Sequence, residues 1–400
     1  MKRILFFVIL FTLLLTGCTN NKEYSIKAPS NRIISSLHNT YQNGIVYTDN
    51  NILCFLDYDS FRGVPLCNKP NCLHNDSSCI AQTAKVKGST PSLVYRDNIY
   101  YFTSSSNIIE GRDGKSTNYN IECDLNKINL HTGYIEKVCS ISDMEATTSS
   151  QIVYINGTMY FIANNGSIQT ESGAWYYFSS GGKQHLCSIN LDTNEFYDYG
   201  QINDNEKIAS TLFSIGEAVF GINGQVIIDG FFDNQLFMHY YYADNSEIVY
   251  NNLDCSVNDE HSIFHIQNVI FDIKSKEFHN DSNSSNVICT NDNYCILWDS
   301  IQNKYIARTN NNEIILDSLK KCDIVEIYED TVWCVKDSSY SCFYNIKKQE
   351  LYDINEEYRR KDIQIITKKD DKYIIHYFDE SSNKNTFENV SEHDLCGSPL

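Results

Sequence analysis

The chain has 400 residues, with 51 acidic side chains against 32 basic ones and a formal net charge of -19 at pH 7. A body that acidic repels phosphate backbones and anionic headgroups, which excludes nucleic-acid binding and adhesion to membranes through a basic patch. Proline is scarce at 5 residues while Tyr and Phe number 28 and 20, and apolar positions tend to alternate with polar ones, so the composition favours β-strands over helices.

The chain opens on Lys2 and Arg3, an apolar run over residues 4–15, and then Leu15-Thr16-Gly17-Cys18. A short basic start, a hydrophobic stretch of this length and small residues before a cut describe a secretory signal rather than a spanning helix. The Leu-Thr-Gly-Cys ending resembles the lipobox of bacterial lipoproteins. That resemblance makes residues 1–18 the signal peptide and lipobox and implies a lipid attached at Cys18, which becomes the new N-terminus after cleavage just before it. It also implies a protein held to the cell membrane on its extracytoplasmic face. Loss of Lys2 and Arg3 would leave 30 basic residues against 51 acidic ones. No later apolar run is long enough to span a bilayer.

Residues 19–39 are polar and read as a tether. From there the chain repeats itself. Val94-Tyr-Arg-Asp-Asn-Ile-Tyr-Tyr-Phe102 matches Val153-Tyr-Ile-Asn-Gly-Thr-Met-Tyr-Phe161, and Val46-Tyr-Thr-Asp-Asn-Asn-Ile-Leu-Cys-Phe55 reads as the same unit with one extra turn residue. Asp-Asn and Asn-Gly tolerate the positive φ of tight hairpins, so each unit is two strands and a turn. Weaker copies centre on Asp233-Asn234, Asp292-Asn293, Glu329-Asp330 and Asp370-Asp371. A second unit follows several of these: Leu125-Asn-Lys-Ile-Asn-Leu-His-Thr-Gly133 matches Leu186-Cys-Ser-Ile-Asn-Leu-Asp-Thr-Asn194, and the segments from Phe271 and Tyr344 continue the pattern. Two hairpins repeating in step make a four-stranded module, and a series of such modules predicts an all-β chain folded as a β-propeller.

Seven blades fit best, although the uneven spacing also accommodates six or eight. The expected organisation is a propeller over 40–392 and a polar tail over 393–400. The pattern resembles the uncharacterised propeller domains of lipoproteins from Gram-positive bacteria, a group that supports the fold and implies no established activity.

Fourteen cysteines remain beside Cys18. Several sit in strand-like runs (Cys54, Cys187, Cys289, Cys334) and are expected to be reduced core residues. The densest constellation is Cys67, Cys72, His74 and Cys79. Three thiols and an imidazole form a complete tetrahedral set for structural zinc. Close cysteines outside the cytoplasm also form disulfides, so a metal site, a disulfide and unpaired thiols all stay open here.

Polar insertions after the first hairpin of three successive modules, 103–120, 163–184 and 239–265, should share one face. Two of them bring the aromatic tracts Trp175-Tyr176-Tyr177 and Tyr240-Tyr241-Tyr242, which are candidates to bind a peptide, protein or glycan, or else are further strands. Nucleophile-elbow, metalloprotease, phosphate-loop and calcium-loop motifs are missing. The expected function is non-catalytic binding or scaffolding, with a glycan- or peptide-processing enzyme using the same loop face, or a structural metal-binding lipoprotein, as the alternatives.

Overall fold

The computed structural model describes residues 26–27, 33–34, 38–49, 51–67, 69, 72–75, 78–82, 92–110, 117–142, 145–146, 152–165, 183–202, 211–215, 218–222, 226–243, 264–281, 285–320, 322–336, 340–361, 363–369, 372–379, 381 and 384–399. They form a β-propeller of seven blades, each an antiparallel meander whose strands we letter A to D outward from the central bore.

Blade 1 comprises His38–Tyr41, Gly44–Asp49, Ile52–Asp57 and Arg62–Pro65, and blade 2 comprises Ser92–Tyr95, Asn98–Glu110, Thr117–Asn129 and Ile135–Ser142. Blade 3 holds Ile152–Ile155, Thr158–Asn165, Lys183–Asn190 and Phe196–Gln201; blade 4 holds Ile227–Phe232, Gln235–Ala243, Phe264–Asp272 and Glu277–Asp281. Blade 5 runs through Ser285–Thr290, Cys295–Asp299, Lys304–Arg308 and Glu313–Ile315; blade 6 through Cys322–Tyr328, Thr331–Lys336, Tyr340–Asn345 and Glu350–Ile354. Among the described residues blade 7 has three strands, Gln364–Lys369, Lys372–Asp379 and Lys384–Ser391. Cys396–Pro399 pairs with strand D of blade 6, so the expected tail is a fifth strand on that blade.

Alternation along each strand puts one apolar row against each neighbouring blade, and the core is accordingly divided into seven wedges. Leu93, Phe102 and Leu125 of blade 2 meet Met159, Phe161 and Ile189 of blade 3 in one of them. The ring closes in the same way. Ile45, Tyr47 and Leu56 of blade 1 pack on Ile366 and Ile374 of blade 7, without an exchange of strands between the two.

The A–B turns explain the repeat. Asn156 and Gly157, and Asp233 and Asn234, have positive φ, which Asn-Gly and Asp-Asn pairs adopt at low cost, whereas in blade 2 the positive-φ pair is Arg96 and Asp97, one residue before the expected Asp97-Asn98. One alignment needs correcting. Val46 and Phe55 lie on strands B and C of blade 1 and face each other across that ladder. The A–B unit of blade 1 is instead Tyr41-Gln42-Asn43-Gly44, with Tyr41 paired to Gly44.

The second unit is the C–D turn. In blade 3 the Asn190 side chain accepts the N–H groups of Asp192 and Thr193, at 2.9 and 3.0 Å. The next backbone N–H, that of Leu191, donates to the Gly157 carbonyl oxygen of the A–B turn at 2.9 Å. A–B and C–D turns therefore share one face of the ring, and the B–C connections leave from the other.

Candidate metal centre and loop face

After strand D of blade 1 the chain stays close to the outer rim. Leu66 donates its N–H to the Leu53 carbonyl, and Leu53 donates in turn to Ala81, so residues 66 and 81 are both pinned to strand C. Leu66, Cys67, Cys79, Ile80 and Ala81 are buried between blades 1 and 2, while Leu73 at the tip is 80% exposed. Ile80 also lies 3.1 Å from where a Cβ on Gly133 would sit, close against the C–D turn of blade 2.

The intervening loop folds its chemistry inward. One ligand atom from each of Cys67, Cys72, His74 and Cys79 lies within 4.8 Å of all the others. The His74 Nδ1 is 3.3 Å from the Cys79 Sγ. A tetrahedral zinc ion with bonds of about 2.3 Å to sulfur and 2.0–2.1 Å to nitrogen separates its ligands by roughly 3.5–3.8 Å, so small side-chain adjustments would close this set on an ion. His74 has φ +58°, a left-handed turn that brings its ring round beside Cys79.

The electrostatics of the pocket are uneven. Burial acts to raise the Cys67 thiol, but N–H groups of Lys69 and Ile80 and the neighbouring thiols of Cys72 and Cys79 outweigh it and hold Cys67 below the usual thiol range. Burial pushes Cys79 up to about 12, with the Ala81 N–H opposing and the charge at Cys67 adding to the rise. Without a cation the pocket thus favours one thiolate, because a second beside it meets like charge. A divalent cation removes that penalty and lets all three ionise.

The loop face is described at its base. Glu110 pairs with Thr117, Asn165 with Lys183, and Ala243 with Phe264, so the B–C ladders take up most of 103–120 and the two ends of 163–184 and 239–265. The connections 111–116, 166–182 and 244–263 leave from adjacent blades 2, 3 and 4 on the same face. Trp175, Tyr176 and Tyr177 lie outside the described residues, as does Cys18. Tyr240 is on strand B of blade 4, 4% exposed in the core shared with blade 3. Tyr241 and Tyr242 continue that strand, opposite Ile266 and His265, and their side chains are outside those described. The tract from Tyr240 is therefore strand and not loop.

Cys54, Cys187, Cys289 and Cys334 are buried and in no disulfide among the described residues, and burial pushes the Cys54 thiol up to about 11. Sequence reading missed a second thiol group, Cys322, Cys334 and Cys342, whose sulfurs lie within 4.8 Å of one another in the core between blades 5 and 6. Its signal was the pairing of blade 6, which sets Cys334 directly opposite Cys342 across strands B and C. No helix among the described residues is long and apolar enough to cross a membrane.

No protein-family model and no curated protein matches the chain. Solved structures do. An oligogalacturonate lyase from Vibrio parahaemolyticus is 9% identical, with 92% of this chain and 91% of that one covered at a TM-score of 0.42. An acylaminoacyl peptidase from Pyrococcus horikoshii is 9% identical over 78% of this chain and 45% of that one, at 0.40. The chain thus spans less than half the length of the peptidases it matches. Likenesses this distant carry nothing about activity. The class is defined by the sheets themselves: a seven-bladed β-propeller with a cysteine-histidine cluster at the joint of its first two blades.

Proposed function

We propose that the chain is a lipid-anchored, extracytoplasmic propeller acting as a non-catalytic binding or scaffold protein for an extracellular protein, peptide or cell-wall glycan. A structural zinc ion at Cys67, Cys72, His74 and Cys79 fastens the joint between blades 1 and 2. The observation that supports this reading is the approach of all four donors to one point. A disulfide would use two of them and leave a thiol and an imidazole beside it without a purpose. Four protein ligands also leave no open position for a substrate, so the ion clamps the fold and does no chemistry on a ligand. Binding then falls to the face where three B–C connections emerge side by side, built on a rigid ring.

Protein beginning after Cys18, purified without oxygen, should contain about one zinc per chain, as a closed four-ligand site requires. It should also capture a partner from cell envelope that a variant with residues 244–263 replaced by a short Gly-Ser link does not. Absence of stoichiometric metal together with a Cys67–Cys79 cross-link by mass spectrometry ends the zinc reading. Undiminished capture by the loop variant ends the assignment of the face.

A further inference from the structure

Ile33–Ile34 is a short strand that precedes blade 1, and it pairs antiparallel with strand A of blade 3, Ile33 opposite Val153 and Ile34 opposite Ile152. It also touches the A strands of blades 1 and 4. A segment in reach of three innermost strands lies in the bore of the ring. Its direction is fixed by the pairing: strand A of blade 3 runs toward its A–B turn, so residues 33–34 run away from that face. Upstream, the Lys27 N–H donates to Asn43 Oδ1 at 2.9 Å, and Asn43 belongs to the A–B turn of blade 1. Ile26 packs on the core between blades 1 and 2. Residues 26–27 therefore lie at the A–B face, and residues 33–34 lie in the bore and run away from that face.

We propose that the anchor leaves from the face formed by the A–B and C–D turns, so that this face is turned toward the membrane and the B–C face away from it. The orientation rests on the lipid-anchored reading above. Chain length makes it binding. Seven residues lie between Cys18 and Ile26, and the eight Cα-to-Cα steps reach at most about 28 Å when fully extended. Going round the ring to bring the B–C face to the membrane would take roughly 15 Å outward across four strands and roughly 20 Å along a six-residue strand, before any return inward. The tether is too short for that route.

The membrane-side turns mix acidic Asp97, Asp233, Asp292 and Glu329 with basic Arg96, Lys274, Lys276, Lys347 and Lys348. The chain as a whole carries a formal net charge of -19, so anionic headgroups repel the ring and it stands off on its tether. The connections of blades 2, 3 and 4 then point outward, and the partner is one reached from the cell exterior or the wall.

Two measurements test this separately. In the protein beginning after Cys18, an Ile33→Cys/Val153→Cys pair should give a mapped disulfide after mild oxidation with oxidised glutathione, while an Ile33→Cys/Val390→Cys pair should not. Failure of the first pair sinks the path through the bore whatever the state of Cys18. In full-length protein on cells, an epitope inserted within 244–263 should bind antibody at least tenfold better than one inserted after Ser275 in the C–D turn of blade 4. A Cys18→Ser form released from the membrane should bind both equally. Equal or reversed binding on cells, with the protein still membrane-bound, overturns the orientation. Wild-type protein that fractionates as soluble overturns the anchored reading and the orientation with it, and leaves the cross-link result standing.

Discussion

The backbone N–H of Leu130 donates to the carbonyl oxygen of Asp97 at 2.8 Å and so ties the C–D turn of blade 2 to its A–B turn. Equivalent bonds run from Tyr58 to Asn43, from Leu191 to Gly157, from Ile273 to Asn234 and from Ile346 to Asp330, in blades 1, 3, 4 and 6. Each donor follows an Asp or Asn whose side chain folds back on the turn. Two hairpins that are distant in each ladder thereby become one rigid unit.

Asn129 is the residue to test. Its Oδ1 accepts the N–H groups of His131 and Thr132, at 3.1 and 3.0 Å. Asn129→Ala removes both bonds and should destabilise the propeller by about 1–2 kcal/mol, while Asn129→Asp keeps the acceptor and should cost little. Urea unfolding of the two variants against wild type decides it. Equal midpoints for Ala and wild type would mean that the turn is held by its backbone bonds alone.

Much of this was legible in the sequence, because turn chemistry is local. Asp233-Asn234 and Asn156-Gly157 can be recognised from residue type, and so can the Asn-Leu step of the second unit. Blade 1 misled because Asp49-Asn50-Asn51 offers a second good turn only a few residues after Gln42-Asn43. Residue type does not say which of two adjacent hairpins is the inner one. The tract from Tyr240 stayed open between loop and strand for another reason: an aromatic run in a tall ladder carries the same residues as an aromatic loop, and only the partner strand 264–272 separates them. Convergence of Cys67, Cys72, His74 and Cys79 could be read as a set, but not the left-handed turn at His74 that closes it.

Metal removal gives the second prediction. If zinc clips residues 67–79 to the rim, a chelator should lower the melting temperature and loosen the joint of blades 1 and 2, seen as faster hydrogen exchange at Leu53 and Ala81. Cys67 is held below the usual thiol range, and each bound thiolate must reprotonate for the ion to leave. The sign follows: metal-linked stability is present at neutral and higher pH and is lost as pH falls. Cys67→Ser and His74→Ala should each abolish stoichiometric zinc and the chelator response. A melting temperature indifferent to both chelator and acid contradicts the clip.

Close approach at the first turn gives the third. A Cβ on Gly44 would sit 2.2 Å from Phe55 Cζ and 2.4 Å from the Leu56 carbonyl oxygen. Phe55 is 1% exposed in the wedge between blades 1 and 2, so its ring has no room to rotate away, and the backbone oxygen is fixed by the ladder. Gly44→Ala should therefore destabilise by about 2–3 kcal/mol through overpacking, measured by denaturant unfolding. A change under about 0.5 kcal/mol, the usual scatter for surface substitutions, would show that the turn can shift to admit a methyl group.

The last prediction concerns the charge buried where blades 6 and 7 meet. The Lys368 side chain is 3% exposed, and its Nζ lies 3.0 Å from Glu392 Oε2 and 3.3 Å from Asp330 Oδ1. It also reaches the Thr331 hydroxyl at 3.2 Å. Burial acts to lower the lysine, but the Tyr373 hydroxyl, Glu392 and Asp330 outweigh it and hold the ammonium above its usual range. Burial likewise acts to raise Asp330, and Lys368 with Lys347 holds that carboxyl below its usual range. A raised lysine contributes stability that is lost only as pH rises through its folded value, beyond ordinary conditions. A depressed aspartate contributes stability present above its unfolded value and lost as pH falls, so the sensitive side is acid. Lys368→Met strands two carboxylates and should cost about 2–4 kcal/mol at neutral pH. Asp330→Asn alone should cost less, because Glu392 still pairs with the lysine, and the double variant should be less destabilised than the two single changes together. Urea unfolding at pH 7 and pH 4 separates the cases: the penalty of Asp330→Asn should shrink at the lower pH. Additive costs that ignore pH would mean that the three groups do not act together.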